Sequence, residues 1–570
     1  MKQTTKSWTV LQWLLSTTFL VFLFLGAQKA LPQDRPQDLP QKPYDEMLDE
    51  KGQPRYTYRG FYPLWQKLSA EKRKEFLEKY SLKRFEKDNR LYPAPKILDG
   101  AKEYDEILAK GAAQRIEAIQ RFLKDHYSGK KTYAKDPRFP KEVFEKLLER
   151  TGDSHFLEDY RTGKREFTGI MGFDVVRGPD GKFYVLEDNP GWIGGPGDLI
   201  LANQLTRELF PELDDIYNLR NPREFYLALK ERFKLEARKH GTERVVHYTV
   251  PPYPDNEDKR LKKIYADLGI VTVTPYTRMG LTVRPDGVYL IDRQKPNQLI
   301  EKVGFVVLNG EHHWLDLSNN SVIKKAIETE ARAHLDEDHL SQEVRKELEF
   351  LLGQKTIDHK ALMKALNQST YLNDVPKSRL KTSAVAGLTD AIFQGKVGSS
   401  YSPGIDFVGD KEFYLYVDDL VRFYLGVEDP ILRNVRTRRM SEVNLDEIYK
   451  DVRPHVIKPV DGRGGDGIIV GPFAKPEEIK ANRQAVEKNP HNWIVQDFLP
   501  IAQHDGNIGD YRIIGYMGSK SGKHLIANVP WSRGLEPGGN GKVNLSDKGF
   551  EVTTLVMDGY RLKCQEVFGR

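Results

Sequence analysis

With 570 residues, 39% hydrophobic and 30% charged, the chain is too long for one hydrophobic core and predicts several globular domains. Lysine and arginine (88) nearly balance aspartate and glutamate (82) without long basic runs, so nucleic acid is not an expected partner. A single cysteine, Cys564, excludes an intrachain disulfide framework and a cysteine-rich metal site.

Lys2 and Lys6 precede a charge-free apolar run over residues 8–27, then small residues Gly26, Ala27 and Ala30 and a Pro-rich spacer over 31–43. This pattern predicts a signal peptide over 1–30, and the run is also long enough to act as an uncleaved N-terminal anchor. The expected location is extracytoplasmic, such as a periplasm, with any membrane attachment confined to this segment. Residues 44–165 predict a helical N-terminal region, with apolar residues at helical spacing over 101–126 and 141–150. Over 167–189 two strands flank the turn Gly178-Pro179-Asp180-Gly181, opening a unit over 166–240 that continues into helices over 199–210 and 222–239. Residues 241–320 read strand (244–250), helix (255–268), strand (270–274), a hairpin around Pro285-Asp286-Gly287 and a strand over 304–308, which suggests a small Rossmann-like unit. It lacks a glycine fingerprint, so no dinucleotide is assigned to it. Residues 321–450 form a largely helical connecting region. His312, His313, His334 and His339 fall in or near it with no zinc-motif spacing. Strands return over 451–570, and residues 549–567 predict a final helix.

Two segments carry chemistry. On the first hairpin, Asp174 lies on one strand, and Glu187 and Asn189 share one face of the next, with Asp188 on the other. Two carboxylates and an amide oxygen are hard ligands suited to Mg²⁺, although the same pattern also fits an ordinary acidic surface hairpin. Far downstream, Lys458 ends a strand before a loop containing Gly462, Gly464, Gly465 and Gly467, and Ile468-Ile469-Val470 resumes the strand. Glycines let backbone N–H groups approach phosphate oxygens, and the lysine adds a positive charge. Strand–loop–strand order disfavours a Walker or dinucleotide loop, which needs a following helix. Gln496, Phe498 and Leu499 end an apolar strand that could wall an adenine ring, while Arg512 and Arg533 offer permanent charge.

The chain resembles the circularly permuted ATP-grasp proteins, type 2. In ordinary ATP-grasp order the lysine strand and glycine loop precede the adenine hinge, the arginine strand and the Asp…Glu-x-Asn hairpin. Here Asp174, Glu187 and Asn189 come first, and Lys458, the glycine loop, 496–499, Arg512 and Arg533 come last. The segments 395–404, 409–417 and 421–432 resemble the family's middle signature, and the resemblance spans roughly 168–570. It implies an α/β (α+β) circularly permuted ATP-grasp fold, with a Rossmann-like pre-ATP-grasp unit and added N-terminal helices, cut just before Thr168. Two departures stand out. Pro190-Gly191-Trp192-Ile193-Gly194-Gly195 replaces an expected serine-containing segment, and Arg438-Arg439 follows Thr437 where Thr-Trp is common.

The resemblance implies ATP and Mg²⁺ as cofactors and a small-molecule or peptide substrate. The implied activity is carboxylate–amine ligation through an acyl phosphate. A phosphotransferase on the same fold, or a non-catalytic nucleotide- or ligand-binding envelope protein, remains the alternative, because ATP is scarce outside the cytoplasm. Asp174, Glu187 and Asn189 would hold the metal, Lys458, the glycines and 496–499 the nucleotide, and Arg512 and Arg533 the moving phosphoryl charge. Two expectations follow: Asp174 and Lys458 face one cleft, and Asp174→Ala or Glu187→Ala removes turnover while leaving the fold intact.

Overall fold

The structure, a computed structural model, describes residues 43–84, 90–145, 165–191, 193–249, 256–273, 278–309, 342–354, 387–460, 467–518, 522–545 and 549–562, with a few single positions including Gly465. The predicted leader, nearly all of the spacer, the histidines at 312, 313, 334 and 339, and Gly462 and Gly464 lie outside the described residues. No helix among the described residues is long and apolar enough to cross a membrane.

The described strands form four sheets. The largest orders β1 (Leu91–Asp99), β21 (Phe550–Tyr560), β20 (Trp531–Leu535), β18 (Asn507–Met517), β2 (Gly169–Arg177), β3 (Phe183–Pro190) and β12 (Arg433–Asn434). Three short strands join it: β17 (Gln503–His504) and β19 (Leu525–Ile526) on β18, and β4 (Tyr217–Leu219) on β21. A second sheet, entirely parallel, orders β11 (Gly398–Ser399), β10 (Phe305–Asn309), β5 (Val245–Thr249) and β6 (Val271–Val273). A third, antiparallel, orders β13 (Thr437–Arg439), β16 (Trp493–Asp497), β14 (His455–Pro459) and β15 (Ile469–Val470). The last is the meander β7 (Met279–Arg284), β8 (Gly287–Asp292) and β9 (Leu299–Val303).

The expected hairpin around 178–181 is β2–β3, and the Rossmann-like expectation is met by parallel β5 and β6 with helix Asn256–Asp267 between them. Strands β5 and β10 are buried and rich in valine, as parallel strands covered on both faces require. The helices expected over 199–210 and 222–239 are Leu199–Leu209 and Arg223–Arg238.

Two expectations fail. Residues 549–567 were expected to form a helix, but Phe550–Tyr560 is β21, pairing parallel with β1 and antiparallel with β20. Val552, Leu555, Val556 and Tyr560 have spacings that mimic a helix, yet tertiary pairing and the β-branched Val552-Thr553-Thr554 run favour the strand. The N-terminal region also contributes β1, which takes a sheet edge where Pro93 and Pro95 can lack donors.

Helix α1 (Lys110–Tyr127) continues from a wider-wound helix over Gly100–Ala109 and packs on the large sheet. Its Ala112, Ile116, Ile119 and Phe122 are fully buried. Phe122 meets Tyr133 at 4.9 Å, Phe413 at 5.2 Å and Phe407 at 5.6 Å between ring centroids. Burying one such ring contributes about 1.5–3 kcal/mol. The cluster anchors a short helix, Lys411–Tyr414, beside the hairpin.

Candidate nucleotide site

Strands β2 and β3 pair so that Asp174 stands opposite Glu187, and the register then skips Leu186 before Val175 meets Val185. That bulge leaves the Leu186 carbonyl outside the ladder, where it accepts a hydrogen bond from Lys458 Nζ at 3.3 Å. The lysine strand and the acidic hairpin, far apart in sequence, are therefore adjacent in space, as expected.

Alternation on β3 sends Asp188 to the opposite side from Glu187. There Asp188 accepts from Arg115 of α1 through Nε (3.0 Å) and Nη2 (2.6 Å). Arg115 is fully buried, and it also donates to Asp418 at 2.9 Å and Asn434 at 2.8 Å. This bidentate pair fixes the back of the hairpin.

On the Glu187 side Asp174 accepts from Arg512 Nε at 2.7 Å and Nη2 at 2.9 Å, and from Arg533 Nη2 at 2.8 Å. Arg512 reaches across because Gly172 leaves room: a Cβ there would lie 3.3 Å from Arg512 Cδ and 3.1 Å from Ile193. Burial pushes the Asp174 carboxyl up, but the two guanidinium groups outweigh it and hold it well below the usual carboxylate range. Arg533 is shared with Asp510, whose carboxyl burial raises against the opposing pull of Arg533. Asp174, expected to be replaceable without harm to the fold, is the anion beneath two buried arginines, a setting that argues for a structural role as well. Trp531 packs nearby, with both guanidinium carbons 5.4 Å from its ring centroid.

Lys458 differs. It is 8% exposed, and burial pushes its ammonium down to about 8, with Glu187 and Asp174 opposing that shift and Lys411 adding to it. Lys411, which the sequence did not single out, lies 3.1 Å from Glu187 and is equally buried. Two lysines and one carboxylate thus meet at the mouth of the hairpin. Asn189 is half-buried, and its Nδ2 has no hydrogen-bond partner among the described residues.

The remaining predicted residues line the lysine side. Gly465 and Gly467 have φ of +84° and +69°, a conformation that favours glycine, in the loop joining antiparallel β14 and β15. A Cβ on Gly465 would lie 3.4 Å from Asn544 Nδ2, so Gly465 itself rests against Asn544. Gln496, buried on β16, donates to Thr437 at 3.0 Å and to Tyr414 at 3.4 Å. Phe498 packs edge-on to Phe473 at 6.2 Å, and Leu499 beside it is half-buried. The departing arginines are absorbed by ion pairs, Arg438 with Asp497 at 3.1 Å and Arg439 with Glu412 at 3.9 Å.

The donor set fits Mg-ATP. A buried ammonium with one acceptor at 3.3 Å among the described residues suits an anion, as do the glycine loop and Lys411. Among the described residues no three His, Cys, Asp or Glu side chains form a metal cage. With Asp174 held by its arginines, the Glu187 carboxylate and the Asn189 amide are the hard oxygens that suit Mg²⁺, which keeps water and phosphate in its shell.

Comparison with known proteins agrees with this geometry. The family described as circularly permuted ATP-grasp type 2 matches residues 95–289 and 351–508. The match starts ahead of the expected Thr168 boundary and takes in α1, so the helix holding Asp188 belongs to the shared region rather than to an addition. An uncharacterized protein of Mycobacterium tuberculosis (strain ATCC 25618 / H37Rv) is 24% identical over 481 residues, 80% of this chain and 73% of its own. A putative glutamate–cysteine ligase of Frankia alni is 24% identical over 481 residues; these span 81% of this chain but only 47% of the Frankia protein. A solved structure, the apo form of a glutathione synthetase-like effector from Globodera pallida, aligns with TM-score 0.42 and 11% identity, covering 85% of this chain and 95% of that one. With more than half of its length matched, the chain belongs to the circularly permuted ATP-grasp type 2 family.

Proposed function

We propose that this protein is a Mg-ATP-dependent ligase that joins a carboxylate to an amine, acting on an amino acid or peptide. The observation that carries the reading is Lys458 Nζ at the Leu186 carbonyl, which puts the lysine strand against the Asp174–Glu187 hairpin across 272 residues of chain. Membership of the ATP-grasp family supports it, as does the likeness to a putative glutamate–cysteine ligase.

Bound Mg-ATP would supply the phosphoryl group that converts a substrate carboxylate into an acyl phosphate, which an amine then displaces with loss of phosphate. The chain's own residues would do the rest. Glu187 and Asn189, with Asp174 behind them, would hold the metal. Lys458 and Lys411 would offset phosphate charge, and Arg512 and Arg533 would keep a fixed positive field at the transfer point. The loop containing Gly465 and Gly467 would cover the nucleotide and exclude water, which would otherwise hydrolyse an acyl phosphate. Gln496, Phe498 and Leu499 would wall the base.

The test is ADP release from Mg-ATP by the body lacking residues 1–30, against pooled amino acids and peptides, with products identified by mass. A condensed product requiring both a carboxylate and an amine supports ligation. A phosphorylated product formed without an amine supports the phosphotransferase, and nucleotide binding without ADP release supports a binding protein. Fractionation of cells tests the proposed extracytoplasmic location.

A further inference from the structure

A second buried ionic cluster, centred on Glu46, ties a segment that precedes the family-matched residues to the large sheet. Within residues 43–59, the stretch 44–46 pairs with β17: Gln503 N donates to Tyr44 O at 2.7 Å, and Glu46 N donates to Gln503 O at 2.8 Å. This contact carries Glu46 into the interior, where it is 5% exposed. Its Oε1 accepts from Tyr511 OH at 2.6 Å and Arg177 Nε at 3.2 Å, and its Oε2 lies 3.1 Å from Lys96 Nζ. Lys96 is 1% exposed and lies 4.0 Å from the Tyr511 ring centroid. Arg177 also donates to Glu103 at 2.8 Å. Farther along, Tyr58 OH accepts from Ile97 N at 2.8 Å, pinning the segment to β1.

The partners of Glu46 sit on the strands that carry the site. Arg177 ends β2 three residues beyond Asp174, and Tyr511 immediately precedes Arg512 on β18. In the ladder Arg512 pairs with Asp174 and Tyr511 with Val175, so Glu46 holds β18 one residue from Arg512 and holds β2 at Arg177, beyond Asp174. Removing its charge would leave two buried cations facing one remaining carboxylate, Glu103. Unpaired buried charge is strongly unfavourable, and the strands would shift to relieve it.

We propose that Glu46 is a positioning residue for the nucleotide site, and that the strap 43–59 sets the alignment of the strands bearing Asp174 and Arg512. The proposal rests on the nucleotide reading of the cleft. Its test uses the full chain with Glu46→Gln, with Glu46→Gln plus Lys96→Met, and with Lys480→Ala on the exposed helix Pro476–Lys488 as control. Hydrogen exchange is followed in β2 and β18 against β5 and β10, alongside Mg-ATP titration.

Glu46→Gln is expected to speed exchange in β2 and β18 only, and to weaken Mg-ATP binding about tenfold or more. Adding Lys96→Met removes the orphaned cation and is expected to return both readouts toward wild type. Lys480→Ala leaves both unchanged. Native exchange in β2 and β18 of Glu46→Gln overturns the proposal, as does acceleration spread equally through β5 and β10, or a double variant no better than the single one. If Glu46→Gln fails to fold, Glu46→Asp replaces it with the same local pattern expected. Should the wild-type chain take up no Mg-ATP, the nucleotide reading fails, and the exchange pattern alone still decides whether the strap sets the strands.

Discussion

Asp174 and Lys458 both lie at the β2–β3 hairpin, yet their surroundings are opposite in kind. Asp174 takes three short guanidinium hydrogen bonds and its charge is strongly stabilised. Lys458 is as buried, but has one carbonyl at 3.3 Å and is discharged more easily than an exposed lysine. A saturated group serves chiefly to hold the framework, whereas a desolvated, under-satisfied one gains most from a ligand of opposite charge. The pair teaches that two members of one site can differ in whether their loss is felt in folding or in binding.

The largest expected effect would break the comparison if it failed. Asp174→Ala leaves two buried arginines with less anion and is expected to cost about 3–5 kcal/mol of stability as well as turnover. Glu187→Ala is expected to abolish ADP release and to cost about 1–3 kcal/mol, less than Asp174→Ala, because Glu187 is partly exposed although Lys411 is left buried without this partner. Thermal unfolding and a turnover assay on both variants separate the two behaviours.

Lys458→Met sharpens the contrast in the other direction. Removing a buried ammonium is expected to raise stability by about 1–3 kcal/mol while weakening Mg-ATP binding about 100-fold. Unfolding and calorimetric titration check both signs.

A pH series follows from the same group. Lys458 is lowered to about 8 from 10.5, so the folded chain releases this proton before the unfolded chain does. Its penalty on folding is fully present below about 8 and is relieved as pH rises towards 10.5. Mg-ATP affinity should move oppositely, falling above pH 8 as the ammonium is lost. Lys458→Arg, permanently charged, is expected to flatten that fall in titrations across the window. The smallest effect is expected at Gln496→Ala, which loosens Thr437 and Tyr414 rather than a charge and should raise the KM for ATP about threefold.

Much of this site was legible because side-chain alternation and turn chemistry are local. The Pro-Asp-Gly turn announced the hairpin, and period-two alternation placed Glu187 and Asn189 together with Asp188 opposite. Other parts were hidden for physical reasons. Lys411 opens a four-residue helix too short to show periodicity, so only its presence in the 409–417 segment hinted at it. Arg115 shares helical spacing with Ala112, Ile119 and Phe122; a charge on an apolar face was the available signal. The partners of Asp174 arrive from β18 and β20, and no local pattern encodes that pairing. β21 was misread because its apolar spacing fits both periods and its partner β1 lies more than four hundred residues earlier.

The central claim is that the acidic hairpin and the lysine strand enclose one Mg-ATP. A crystal structure of the protein with Mg²⁺ and a non-hydrolysable ATP analogue tests it most directly. The account predicts terminal phosphate oxygens within hydrogen-bond reach of Lys458 Nζ and a metal on Glu187 and Asn189. An analogue bound elsewhere, or a metal that touches neither residue, would contradict it.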